Sequence, residues 1–210
     1  MPVDRLGKLL GQQHGVASRA QLLALGMPDR AMQYQLRIGP WQALLPGIYL
    51  SVAEPASFAQ QEMAALLYAG PDSVVTGPAA LTHHGIGRPA GQHGPGTPAD
   101  VAVIDVLVPI RRQRLDLGFV RLHRTARMPG KTLSAGPVRV ALAPRAVADT
   151  AWQLSSPAGI RAVVADAVQS GRCTLADIAF ELNEGPIRGS AALRSVLTEL
   201  AAEGRPAARS

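Results

Sequence analysis

Four side chains between positions 30 and 37 have the types and the spacing of a helix face that binds nucleic acid. They stand at i, i+3, i+4 and i+7, and they are Arg30, Gln33, Tyr34 and Arg37. On an α-helix this spacing places all four in one stripe, which we call the α3 stripe. Arg and Gln hydrogen-bond base edges and phosphates, so the stripe has the chemistry of a recognition helix. The competing interpretation is an ordinary amphipathic helix whose polar face is only solvated.

The other side of the same helix is apolar, which predicts how the helix is held. Ala31, Met32 and Leu36 point away from the stripe, toward the segment that precedes it. Pro28 suits the first position of a helix that runs to about Ile38. A recognition helix needs this combination of a docked apolar back and an exposed polar front.

The segments around this helix predict a winged helix-turn-helix domain over residues 1–52. Leucines at helical spacing indicate a first helix over residues 4–14, and an S-x-x-Q capping box at Ser18 opens a second helix. Gly26 supplies the tight turn before the third helix. Two short strands around a Pro-Gly turn follow within residues 41–52. This order of elements is that of a winged helix-turn-helix.

Positive charge is concentrated in one further segment of the chain, residues 111–131. The chain carries 21 Lys and Arg against 15 Asp and Glu, a formal net charge of +6. Seven basic side chains and one acid fall within residues 111–131, and the basic ones are Arg111, Arg112, Arg114, Arg121, Arg124, Arg127 and Lys131. We call these seven the basic segment, and we expect them on a hairpin. Such a hairpin extends a DNA footprint, contacts an acidic protein surface, or is merely solvated, and all three alternatives stay open.

The remaining sequence predicts a second, α+β domain over residues 57–204. A short linker at 53–56 precedes a capping box at Ser57. Short apolar runs then predict a small sheet, and capped apolar stripes predict a C-terminal helical bundle. A Gly/Pro-rich stretch at 87–99 predicts a mobile surface loop, and residues 205–210 a flexible tail. The expected fold class is therefore α+β.

No constellation of side chains in the sequence predicts catalysis. His83 and His84 are adjacent, so on a helix they diverge by about 100° and do not share a metal-ligand face. We expect packed or capping roles for both, and a solvated strand position for His123. Cys173 is the single cysteine, which excludes an internal disulfide. We expect no enzymatic activity, no metal and no cofactor.

Composition excludes several classes of protein. Apolar residues make up 47% of the chain and charged residues 17%, which excludes wholesale disorder. No apolar run approaches the ~20 residues that a membrane helix needs. The N-terminal residues include Asp4 and lack the long apolar segment of a signal peptide. We expect a soluble cytoplasmic protein with no membrane partner.

Several short segments occur in an order that resembles a known family. They are GVASRAQLLALGMPDRA, GPWQALLPGIYL, AALLYAGPDSVVTGPAALTHHGI, VLVP, VRLHRT, PRAVADTAWQL and DAVQSGRCTLADIAFEL. Over residues 3–200 this series resembles the actinobacterial AbiEi-type antitoxins of type IV toxin–antitoxin systems. The resemblance implies a winged helix-turn-helix that binds operator DNA and represses its own operon. It also implies a second domain that neutralises a nucleotidyltransferase-like toxin.

The resemblance also implies where double-stranded operator DNA is contacted. Besides the α3 stripe, the contacts would fall on Ser18 and Arg19 at the start of the second helix and on Trp41 and Gln42 at the base of the wing. The third helix departs from the family pattern, because Arg30 stands alone where relatives often carry several consecutive arginines. Many relatives also continue into a nuclease-like domain, which would begin about where this chain ends, so we expect no nuclease chemistry.

Two alternatives to the antitoxin function stay open. The first is a stand-alone winged-helix transcription regulator whose second domain binds a ligand or a protein. The second is the remnant of a nuclease fusion that is kept as an interaction module. A nucleotidyltransferase gene beside this one would favour the antitoxin, and its absence would favour the regulator.

Overall fold

The computed structural model describes residues 3–87, 103–185 and 190–203, and it confirms the expected mixed α+β class. In chain order the elements are α1 (Val3–Gln12), β1 (Val16–Ser18), α2 (Arg19–Ala24), α3 (Asp29–Arg37), β2 (Gln42–Leu45), β3 (Ile48–Leu50), α4 (Phe58–Ala69), β4 (Val74–Thr76), α5 (Gly77–His83), β5 (Ile104–Pro109), β6 (Val120–Thr125), β7 (Thr132–Ala135), β8 (Val138–Ala141), α6 (Ala143–Ala151), α7 (Pro157–Gln169), α8 (Leu175–Asn183) and α9 (Ala191–Glu203). The predicted mobile loop, from residue 88 onward, and the predicted tail at 205–210 lie outside the described residues.

The first helices begin where local capping chemistry predicts. Ser18 Oγ accepts a hydrogen bond from the backbone N–H of Gln21 at 3.2 Å, and Gln21 Oε1 accepts one from the N–H of Ser18 at 2.9 Å. This is the reciprocal capping box that the S-x-x-Q sequence predicts for α2. The same box, formed by Ser57 and Gln60, opens α4.

A small antiparallel sheet accompanies the first three helices. Its strand order is β1-β3-β2, and Val16 of β1 lies opposite Leu50 of β3. The turn between β2 and β3 contains Gly47, whose φ of +73° is a conformation that favours glycine. The strand β1 was not expected, because it is defined by its pairing with β3, a segment distant in the chain.

One apolar cluster holds these elements together. Its buried members are Ala17, Leu22, Met27, Met32, Trp41 and Tyr49. Leucines from α1, together with Ala31 and Leu36 of α3, pack against this cluster and are partly buried. The apolar back of α3 is therefore docked as the sequence predicts.

The chain divides into two compact units at a different place from the expected linker. The units are Met1–Val75 with Ala99–Met128 and Ser134–Arg139, and Thr76–Pro98 with Pro129–Leu133 and Val140–Ser210. The helix α4 thus belongs to the first unit, where it packs against the strands β1, β2, β3 and β5. Gln60 of α4 also donates from Nε2 to the carbonyl oxygen of His14 at 3.0 Å. A boundary at residues 53–56 would separate α4 from these partners.

The larger sheet has the strand order β6-β5-β4-β8-β7. The strands β5 and β6 pair in parallel, with Ile104 opposite Val120 and Pro109 opposite Thr125. The expected hairpin across the basic segment is therefore wrong, because residues 110–119 form a return connection instead. That connection is anchored at Leu115, whose carbonyl oxygen accepts a hydrogen bond from the Tyr68 hydroxyl at 3.0 Å.

The second unit is a helical assembly in which α6 packs against α5, α7 and α8. Ser156 caps α7, and Thr174 forms a capping box with Asp177 at the start of α8. Arg145 and Asp149 of α6 form the ion pair typical of i, i+4 positions, at 2.9 Å. None of the helices in the described ranges is long and apolar enough to cross a membrane.

Truncating the buried back of α3 should destabilise the protein far more than truncating its front. Met32 is 1% exposed, whereas Tyr34 on the same helix is 54% exposed. We expect Met32→Ala to lower the free energy of unfolding by about 2–5 kcal/mol, because it removes buried methylene groups and leaves a cavity. The matched change Tyr34→Ala should stay within about 0.5 kcal/mol of the wild type. Urea unfolding measures both, and equal losses would contradict this packing of α3.

Candidate nucleic-acid interface

The helix α3 presents the four residues of the α3 stripe to solvent. All four are exposed, and Tyr34 leaves 54% of its surface accessible although it is a large aromatic residue. Within the described part of the chain, Arg30 and Arg37 form no ion pair with a carboxylate. Their guanidinium groups are therefore available to an external acceptor such as a phosphate or a guanine edge.

An ion pair joins the start of α2 to the start of α3. Arg19 Nε donates to Asp29 Oδ1 at 2.8 Å, and a second hydrogen bond joins Arg19 Nη2 to Asp29 Oδ2. The hydrogen bonds and charge of Asp29 raise the pKa of the Arg19 guanidinium above its ordinary value. This pair was not predicted from the sequence, because its two residues are ten positions apart. Asp29 therefore partly neutralises the charge of Arg19. The Ser18 hydroxyl already accepts a hydrogen bond in the N-cap of α2.

The two residues expected at the base of the wing have internal roles. Trp41 is 9% exposed and belongs to the apolar cluster, so its ring is packed rather than presented. Gln42 donates from Nε2 to the carbonyl oxygens of Val52 at 2.8 Å and Glu54 at 2.7 Å. Both residues hold the β2–β3 hairpin in place and are not part of the exposed stripe.

Several arginines of the basic segment bind carbonyl oxygens of the protein itself. Arg124 donates from Nε to the carbonyl of Arg112 at 2.9 Å and from Nη2 to that of Arg114 at 2.7 Å. Arg112 donates from Nη2 to the carbonyl of Pro71 at 3.0 Å. These hydrogen bonds fix the return connection between β5 and β6. The guanidinium groups of Arg112 and Arg124 therefore have a structural role.

The residues of the basic segment differ in exposure and in the compact unit to which they belong. Arg111 and Arg114 are exposed on the return connection, whereas Arg127 is half-buried after β6. Lys131 belongs to the second compact unit, and the other six belong to the first. These residues therefore have different environments, and a contact of the basic segment with DNA or with a protein stays a prediction.

A buried carboxylate beside this segment was missed by sequence reasoning. Asp105 of β5 is 1% exposed, and its Oδ1 lies 2.6 Å from His123 Nε2 and 3.5 Å from Arg121 Nη1. His123 is therefore not simply solvated, since its ring partners a buried acid on the neighbouring strand. The signal was Asp105 itself, an acid inside the apolar run VAVIDVLVPI.

In the second unit, His84 is half-buried and bonds to a backbone carbonyl. His84 Nε2 donates to the carbonyl oxygen of Ala141 at 2.8 Å. Burial lowers the pKa of His84, and the nearby charges of His83 and Arg172 act in the same direction. Cys173 is buried, which raises the pKa of its thiol to about 11 and makes it a poor nucleophile. Among the described residues, no group of three or more His, Cys, Asp or Glu side chains could hold a metal ion.

Comparisons with protein families and with curated proteins do not assign a function to this chain. No protein-family model matches the chain. A search of curated proteins also finds no significant match. The α3 stripe and its buried support are therefore the structural observations on which a function can rest.

The lowered pKa of His84 predicts a loss of stability in mild acid. Because His84 is held neutral in the folded state, the unfolded chain binds a proton first as the pH falls through about 6.5. Stability from this group is complete above that pH and declines below it. Replacing His84 by Gln keeps a side-chain N–H donor but removes the titration, so the variant should lose less stability between pH 7.5 and pH 5.

Thermal unfolding of the wild type and the variant at both pH values measures this difference. His14→Asn is a matched control, since His14 is an exposed histidine in the first unit. An unchanged pH dependence in His84→Gln would show that another group controls the acid response.

Proposed function

We propose that this protein is a DNA-binding antitoxin that represses its own operon and neutralises a nucleotidyltransferase-like toxin. In this proposal residues 1–52 act as a winged helix-turn-helix, with α3 as the recognition helix and the β2–β3 hairpin as the wing. The protein acts without catalysis, in the cytoplasm, and its partners are operator DNA and the toxin.

The observation that carries the DNA-binding part is the two-sided structure of α3. An exposed row of Arg, Gln and Tyr stands on a helix whose back is buried at Met32. The elements follow one another as helix, strand, helix, helix and β-hairpin, which is the order of a winged helix-turn-helix. Such a helix enters the major groove, where side chains reach the base edges.

The proposed contacts differ in what they contribute. Arg30 and Gln33 lie on the first turns of α3, so they read base edges, where a bidentate pair discriminates against a wrong base. Arg37, at the end of α3, contacts a phosphate. Arg19 also contacts a phosphate, but it contributes less than a free arginine because Asp29 already partners it.

The toxin-neutralising part rests on the sequence resemblance over residues 3–200. Arg111 and Arg114 remain exposed, so they supply positive charge for an acidic protein partner. The stand-alone regulator stays the alternative, and the two functions differ in whether a toxin copurifies with the protein.

Two substitutions on the α3 stripe should reduce DNA sequence preference. We expect Arg30→Ala and Gln33→Ala each to lower the affinity ratio between DNA from upstream of the gene and a scrambled duplex by about 5- to 100-fold, which corresponds to roughly 1–3 kcal/mol. Fluorescence anisotropy with the full chain measures both affinities. For the wild type, log K should fall with log salt by about 0.9 for each phosphate contacted.

The matched control is Arg5→Ala, which removes an exposed arginine from α1 outside the stripe. This control should keep the wild-type preference. A wild-type salt slope of zero would refute DNA binding. Equal preference in wild type, Arg30→Ala and Gln33→Ala would show that α3 is not the recognition helix.

Repression and neutralisation should be separable. Affinity purification from the native host, followed by mass spectrometry, should identify a nucleotidyltransferase-like protein. Coexpression of that protein should stop growth, and this chain should restore growth. Arg30→Ala should abolish repression but retain the growth rescue, because α3 is used for DNA alone. A rescue lost together with repression would contradict this division, and absence of any such partner would favour the regulator.

A further inference from the structure

The first unit contains a cleft whose lining includes Arg19 and Arg114, the proposed DNA and toxin contacts, together with an apolar wall that neither contact uses. Its volume is about 670 Å³, and it is lined by the start of α2, the β2–β3 turn, the end of α4 and the return connection. A volume of this size lies within the range of small-molecule sites, roughly 300–1,000 Å³. We call it the arginine cleft, because its charged lining residues are Arg19, Arg112, Arg114 and Arg139.

The charge of the arginine cleft is entirely positive. None of the described residues that line it is Asp or Glu. Arg19 already pairs with Asp29, which lies outside the lining. Arg139 is exposed and has no carboxylate partner among the described residues. The cleft therefore carries uncompensated positive charge, which favours an anionic ligand.

Two of the arginines are held in place by the protein. Arg112 donates from Nη2 to the carbonyl of Pro71, and its guanidinium packs so close to Gly70 that a Cβ there would lie 3.2 Å from it. The guanidinium carbon of Arg114 lies 4.9 Å from the centre of the Tyr68 ring, a cation–π contact. Such support reduces the entropy that a ligand must overcome to order these side chains.

The rest of the lining is largely apolar. Ile48, Met63 and Leu66 are buried, and Leu67 is half-buried beside them. The backbone of a DNA duplex offers phosphates and sugars to a protein. An apolar wall inside a concave site has no partner for these polar groups. A small ligand with both an acidic group and an apolar body satisfies both halves of the lining.

We propose that the arginine cleft binds a small organic anion, a carboxylate or phosphate attached to an apolar body. The anionic group lies among Arg112, Arg114 and Arg139, and the apolar body lies against Met63, Leu66 and Leu67. This binding does not require that the protein bind DNA or a toxin, so it can fail or succeed independently of the proposed function.

Isothermal titration calorimetry on the full chain tests this with three probes: 1-naphthyl phosphate, 1-naphthol and inorganic phosphate. The naphthyl phosphate should bind at least tenfold more tightly than either of the others, because it alone engages both the arginines and the apolar wall. Repeating the titration with 1-naphthoate distinguishes a preference for phosphate from one for carboxylate. Tight binding of either naphthyl anion supports the proposal.

Arg114→Gln and Arg139→Gln should each weaken naphthyl phosphate binding by about tenfold, because each removes a charged hydrogen-bond donor. Arg5→Gln, on α1 and outside the cleft, should bind as the wild type does. Thermal unfolding checks that all variants remain folded. The proposal is overturned if neither naphthyl anion binds better than inorganic phosphate, or if the cleft variants bind the preferred naphthyl anion as well as the control does. It is also overturned if those variants lose affinity for duplex DNA while no naphthyl anion binds to the wild type.

Discussion

The burial of Met32 is the constraint on which the exposed face of α3 depends. Its side chain packs among Leu22, Trp41 and Tyr49, which belong to different elements of the first unit. Because successive side chains on a helix are separated by fixed angular steps, docking position 32 turns Arg30 and its stripe partners toward solvent. The orientation of the proposed recognition surface is thus a consequence of core packing rather than of any interaction made by the polar residues.

Arginine side chains have three different roles in this protein. Arg124 and Arg112 donate to backbone carbonyls and hold the return connection between two parallel strands. Arg19 links two helix starts through Asp29. Arg30 and Arg139 remain available for an external anion. The formal net charge of +6 therefore says little about a partner until each guanidinium has been assigned to its acceptor.

The two proposed binding surfaces of the first unit suit ligands of different shape. The α3 stripe is an exposed row of donors on a helix, which fits the groove of a long polyanion. The arginine cleft is concave, and part of its wall is apolar. Its lining includes Ser18 and Gly47, at the start of α2 and in the β2–β3 turn. An occupant of the cleft would therefore touch the elements that flank the proposed recognition helix.

The sequence by itself determined the features that depend on a few neighbouring residues. The capping boxes at Ser18 and Ser57 involve side chains and N–H groups three residues apart, and the two faces of α3 follow from helical periodicity. Tertiary structure decided the features whose partners are distant in the chain. The parallel pairing of β5 with β6, the Asp105–His123 contact and the packing of α4 onto the first sheet each join separate segments. A local sequence pattern does not identify such partners, because their pairing depends on burial and hydrogen bonding over the whole unit.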